Sequence, residues 1–236
     1  TTSPRFQKEA AEIALQMSQF SVDELERLLR VNAKIAVENY KRYQAFHAEA
    51  TPELPALLAY TGIVFKRLNP KDFSAEDFGY AQEHLRLTSF CYGLLRPLDV
   101  IRAYRLEGDV VLPELGNQTL FFYWRSRLTD TFIEDIRSAG GILCNLASDE
   151  MKSLFDWKRV ESEVRVVTPE FHVWKNGKLA TIVVYTKMSR GEMTRFILKN
   201  KIGNPEELKG FSWEGFEFDE SLSDERKLVF INGMGE

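Results

Sequence analysis

Histidine and cysteine are nearly absent, with three of one and two of the other in 236 residues. Cys91 and Cys144 stand alone in apolar surroundings, without CxxC spacing or a companion histidine cluster, which argues against a zinc site or a disulfide framework. Buried free thiols are the plainer assignment, and a redox or metal role is the alternative. There is no glycine-rich phosphate loop, no G-x-S-x-G and no zinc-ligand spacing, so no reaction class is identified and no cofactor or metal is called for. Apolar runs stay well short of the ~20 residues that a membrane span needs, and no signal peptide is visible, so a cytoplasmic chain with no membrane partner is expected. An excess of positive charge is missing too. Thirty-one lysines and arginines face 35 acids for a net charge of -4, an objection to a nucleic-acid partner because phosphate contacts supply most non-specific affinity.

What is present is apolar and unevenly charged. A chain with 44% hydrophobic and 12% aromatic residues can bury one sizeable core, and no linker divides it, so a single domain over residues 1 to 236 is expected. Lys187, Arg190, Arg195, Lys199, Lys201 and Lys209 fall close together, and Glu214, Glu217, Asp219, Glu220, Asp224 and Glu225 come directly after them. Such asymmetry allows a basic cleft on an acidic body.

Along the chain, Phe6, Ala10, Ile13, Ala14 and Met17 recur at helical spacing, and Ser21-Val22-Asp23-Glu24 reads as a capping box that opens a second helix. A third helix runs from about Ala33 to Phe46. Leu57 to Tyr60 before Gly62 reads as a short buried strand, and Val64 to Leu68 as a brief helical or extended piece. Ser74-Ala75-Glu76-Asp77 is another capping box, starting a helix that contains His84 and Arg86. Asn117 is placed to cap a long helix from Phe121 to Ile136 that ends at Gly140-Gly141. Ile142 to Ala147 is a continuous apolar strand that opens into Ser148-Asp149-Glu150, where helix cap and ligand site are both consistent with the pattern. Asn176-Gly177 between alternating runs signals a hairpin. Its second strand, Leu179 to Tyr185, is expected to deliver Lys187 and Arg190 to a strand-to-helix junction, with Arg195 and Lys199 one turn apart on the helix from Glu192 to Asn200. The aromatic tail, including Leu228 to Phe230, reads as edge strands.

Residues 80 to 108 are the densest stretch: His84, Arg86, Arg96, Arg102 and Arg105 sit among aromatic and aliphatic side chains, with Gly93 and Pro97 interrupting an otherwise helical pattern. Charges in such a run must be paired, because burying them alone costs several kcal/mol. Arg96 with Asp99, and Arg105 with Glu107, have the spacing of fixed ion pairs. A buried ion-pair framework and a functional pocket both fit.

Three segments, YAQEHLRLTSFCYGLLRPLDVIRAYRLEGD, NLASDE and YTKMSRGEMTRFILKN, in this order, resemble the YaaA family of bacterial peroxide-stress proteins over nearly the whole chain. The resemblance implies a compact α/β fold of the family's own type, a mixed sheet surrounded by helices with a helix-hairpin-helix element. It also implies a cytoplasmic protein of the hydrogen peroxide response that binds duplex and branched DNA in a basic cleft and is linked to DNA repair and low free iron. Family members open with an apolar strand and a Ser-x-Ala-Lys motif. Thr1-Thr2-Ser3-Pro4 resembles the region after that motif, so a strand and a basic residue of the native protein are expected to be missing.

On this reading Lys187, Arg190, Arg195, Lys199 and Lys201 hold phosphate, Gly203 and Asn204 offer backbone donors, and Arg96, Arg102 and Arg105 line the cleft. Lys201-Ile202-Gly203-Asn204-Pro205 has the tight turn of a helix-hairpin-helix, although a plain helix end with a glycine cap has nearly the same pattern. The alternative is an enzyme acting on a nucleotide or damaged DNA, with His84, Arg86, Asp149, Glu150 and Lys187 as an acid/base and anion-binding set. Those five side chains would then have to converge in one pocket.

Overall fold

A computed structural model describes residues 1–233. The chain falls into two units, each assembled from separate stretches. The first comprises residues 1–59, 85–132 and 149–157, and the second residues 60–84, 133–148 and 158–236.

In the first unit, helices α1 (Gln7–Met17), α2 (Val22–Leu29) and α3 (Ala33–Ala45) precede strand β1 (Leu54–Pro55) and a single turn, α4 (Ala56–Ala59). The Ser21 capping box forms as expected: Glu24 N–H donates to Ser21 Oγ at 3.3 Å, and Ser21 N–H donates to Glu24 Oε2 at 2.8 Å. The segment Leu57 to Tyr60 is not a strand. Leu57 is fully buried on the short helix, because the sheet ladder is made one step earlier, where Leu54 and Pro55 pair with Ile101 and Val100.

The helix expected to contain Arg86 and to break at Gly93 ends earlier, at His84, and short antiparallel strands follow: β2 (Leu87–Ser89), β3 (Gly93–Leu95) and β4 (Val100–Ile101). Ser89 Oγ closes the β2–β3 turn by accepting from the N–H groups of Cys91 and Tyr92 at 3.2 and 2.8 Å. Gly93 completes it at φ +72°, with the Trp124 ring 2.7 Å from where a Cβ would stand, so both conformation and space require glycine. A ribbon, β5 (Val111–Leu112) with β6 (Gln118–Thr119), leads into the long helix α7 (Leu120–Ser138). The N–H of Phe122 donates to Thr119 Oγ1 at 3.3 Å, a role the sequence suggested for Asn117. Trp124 is fully buried and donates to Phe90 O at 2.8 Å, and Tyr43, Ile13 and Met17 of the same unit are fully buried as well. One further turn, α8 (Asp149–Lys152), belongs to this unit.

The second unit carries the mixed sheet expected of an α/β chain, in the order β10 (Phe216–Phe218), β11 (Lys227–Asn232), β8 (Arg165–Lys175), β7 (Ile142–Cys144), with β9 (Lys178–Ala180) hairpinned onto β8. Asn176 and Gly177 form that hairpin with φ of 53° and 70°, as Asn-Gly requires. β11 is parallel to β8 and lies between it and β10, so Leu228 to Phe230 are interior and not on an edge as expected. Phe171, Phe211, Phe216 and Phe230 pack around this sheet with Met193 of helix α10 (Val183–Asn200). The remaining helices are α5 (Ile63–Leu68), α6 (Ala75–His84) and α9 (Trp157–Glu163). At Gly191 a Cβ would lie 2.3 Å from Val64 O, so the missing side chain lets α10 and α5 touch. α10 begins at Val183, well before the expected Glu192, which places Lys187 and Arg190 inside the helix and not at its junction with a strand. Among the described residues, no helix is long and apolar enough to cross a membrane.

Candidate functional site

The basic residues at the end of α10 are gathered by two carboxylates that precede and open α6. Arg195 and Lys199, four residues apart, share one face of α10. Arg195 makes a two-pronged contact with Asp72, at 2.8 and 2.7 Å, and donates to the carbonyls of Leu68 and Asn69, both at 3.1 Å. Lys199 Nζ donates to Asp77 Oδ2 at 2.8 Å, and Lys201 Nζ to Asp77 Oδ1 at 2.5 Å. Asp77 is a nearly buried side chain that also accepts from Ser74 N–H at 3.0 Å, so one carboxylate serves as helix cap and as counter-ion for two lysines. The hydrogen bonds from Lys199 and then Lys201 hold its pKa well below the usual carboxylate range, and the Arg195 hydrogen bond lowers that of Asp72. Phe73 lies beneath both cations, its ring centroid 4.9 Å from Lys199 Nζ and 5.8 Å from Arg195 Cζ.

Just beyond, Lys201 takes the left-handed conformation at φ 53°, and Tyr80 Oη donates to Ile202 O at 2.8 Å. The turn is thereby tied to α6 twice, while Gly203 and Asn204 remain exposed. The chain then enters a 3-10 run, Pro205–Gly210, capped by Asn204 Oδ1 accepting from Glu206 N–H at 3.0 Å. The expected second helix of a helix-hairpin-helix is therefore a six-residue 3-10 segment. Lys187 is exposed and Arg190 half-buried on the preceding turns of α10.

The three arginines assigned to a cleft wall belong to the first unit. Arg96 pairs with Asp99 at 3.0 Å, as its spacing suggested. Arg102 pairs with Glu53 at 3.0 Å, donates to Phe46 O and rests on the Phe46 ring. Arg105 reaches Glu107 at 3.4 Å. Burial raises the Glu107 pKa, and the nearby Glu150 adds to the rise. Each of these guanidinium groups has a carboxylate partner within its own unit.

The alternative acid/base set is split. His84 and Lys187 belong to the second unit, and Arg86, Asp149 and Glu150 to the first. His84 ends α6, stacked on Tyr80 with centroids 4.0 Å apart and with Nδ1 2.9 Å from Tyr80 O. Arg86 lies outside that helix and donates to Leu85 O at 2.9 Å. Asp149 pairs with Lys152 at 2.9 Å, and Glu150 is exposed on the same short turn. No group of three or more His, Cys, Asp or Glu side chains among the described residues is placed to hold a metal ion. Burial pushes the thiols of Cys144 and Cys91 up, which disfavours the thiolate in both, although Cys144 is only half-buried.

Comparison with known proteins decides the family. The model of the peroxide stress protein YaaA matches residues 1–222. The chain belongs to the YaaA peroxide-stress family. Its relatives include a UPF0246 protein of Bacteroides thetaiotaomicron, 99% identical over 236 residues, a match that covers all of this chain and 92% of the relative. A UPF0246 protein of Phocaeicola vulgatus is 64% identical over 98% of the chain and 90% of the relative. One from Crocosphaera subtropica is 37% identical over 98% and 91%. In this YaaA family member the partners that sequence reasoning missed are Asp72 for Arg195 and Glu53 for Arg102. Asp77 was legible only as a cap. No local signal marks them as counter-ions, since Asp72 and Asp77 lie more than a hundred residues before the cations they bind.

Proposed function

We propose that this chain serves the peroxide response by holding the phosphate backbone of cytoplasmic DNA, duplex or branched, without reading bases. The contact surface is the turn 201 to 204 together with the length of α10 that leads to it, which includes Lys187 and Arg190. The observation that carries this reading is the turn itself: Lys199 and Lys201 on Asp77, and Tyr80 on Ile202 O, hold it in place while Gly203 and Asn204 stay exposed. Pre-ordered backbone of this kind binds phosphate with a smaller ordering cost at the moment of contact. The family's peroxide role is compatible with protection of DNA, and burial pushes both thiols up, away from the thiolate that reacts with peroxide.

The ion pairs reshape the expectation. Arg195, Lys199 and Lys201 face two carboxylates, which leaves one net positive charge there. Affinity is therefore modest: that one charge with Lys187 and Arg190 gives a slope of log K against log salt of about -3, below that of five open cations. Fluorescence anisotropy on duplex and branched DNA at two salt concentrations tests this. Lys187→Ala reduces the slope by about one and weakens all sequences alike. Absent binding, or binding indifferent to salt, removes the reading.

A further inference from the structure

On β8, positions 170, 172 and 174 share one face, the odd positions Phe171 and Val173 being buried. The hairpin register, Val173 with Ala180 and Trp174 with Leu179, brings Thr181 opposite His172. The side chains meet there: His172 Nδ1 is 3.0 Å from Thr181 Oγ1, and Nε2 is 3.0 Å from Glu170 Oε2. With the Nε2 proton donated to the Glu170 carboxylate, the Nδ1 lone pair faces the threonine O–H. Hydroxyl, imidazole and carboxylate then stand in the order of an activated nucleophile, its base and the group that orients the base. Thr181 is exposed, and exposed apolar residues lie near it in the chain and the hairpin: Trp174, 40% exposed, and Val183 and Tyr185, 65% and 44% exposed, two and four residues on. Exposed apolar residues grouped in this way mark a binding surface.

We propose that Thr181 is an acyl-acceptor site that takes a small apolar acyl group from an activated ester. Thr181 Oγ1 bonds to the acyl carbon, the carbon–oxygen bond to the leaving group breaks, and the threonine proton passes to His172 Nδ1 and on to solvent or the leaving group. His172 touches the reacting hydroxyl, and Glu170 is a positioning residue. This site is independent of the turn at 201 to 204.

The test is incubation of the full chain with p-nitrophenyl acetate, read by peptide mass spectrometry and p-nitrophenolate release. One acetyl group is expected on Thr181, kept in Thr181→Ser and lost in Thr181→Val. His172→Gln slows that labelling by about 100-fold, the scale of general-base catalysis, and Glu170→Gln by less. Melting curves confirm that each variant is folded, and Thr181→Ser against Thr181→Val carries the test should His172→Gln not fold. Acetylation confined to lysines, or labelling of Thr181 at an equal rate in wild type and folded His172→Gln, overturns the proposal and leaves a cross-strand hydrogen bond only.

Discussion

Each unit is organised around a buried aspartate, and the two differ in how far that aspartate reaches. Asp99 in the first unit accepts from Thr2 Oγ1 at 2.6 Å, from the Arg96 N–H at 2.8 Å and from the Arg96 guanidinium at 3.0 Å. Two of those bonds close a local turn three residues long. Asp77 in the second unit closes its own helix start through Ser74, but its other partners, Lys199 and Lys201, lie more than 120 residues later in the chain. Both aspartates also reach across the chain, but the ionic partner is local for Asp99 and distant for Asp77. A local carboxylate is legible from spacing, whereas a distant one is not.

The largest effects that sharpen this division come from the cores. Trp124→Ala and Phe230→Ala, both at fully buried positions, each cost about 3–5 kcal/mol in chemical denaturation. Hydrogen exchange should show protection lost first around α7 and β3 for the former and around β8 and β11 for the latter. Identical exchange patterns in the two variants would erase the distinction between units.

Glycines give a smaller contrast. Gly93→Ala meets both a positive φ and the Trp124 ring, and costs about 2–3 kcal/mol. Gly177→Ala, at φ +70° with open space around it, costs about 1 kcal/mol. Equal melting shifts for the pair would mean that the ring moves aside without cost.

The smallest effect is in pH. Asp77 has a depressed folded pKa, so its contribution is present above the unfolded value and is lost as pH falls through the folded one. Wild type and Asp77→Asn therefore differ in stability at neutral pH, and the gap narrows below about pH 4. A gap that widens in acid contradicts this ion pairing.

Much of the fold was legible where local chemistry decides it. Ser21 with Glu24, Ser74 with Asp77, and Asn176-Gly177 each named an element boundary that the structure keeps. The stretch from Leu85 to Ile101 was misread because runs of three apolar residues have no period, and side-chain closure by Ser89 left no mark in composition. Ile182 to Tyr185 read as strand because it is β-branched and aromatic. Val183 to Tyr185 instead form the exposed first turn of α10, against their local β preference. The site suffered most. Arg195, Lys199 and Lys201 were identified as a basic cluster, but the carboxylates that neutralise them are far away in sequence, so a run of cations looked more open than it is.

The insertion of β11 between β10 and β8 sets an order of events during synthesis. Until Asn232 has emerged from the ribosome, β8 lacks its parallel neighbour along residues 168 to 173 and β10 lacks its ladder partner. A nascent chain must therefore keep the Phe171 face covered by other means until Lys227 to Asn232 have been made, which makes a stall before Lys227 an aggregation hazard.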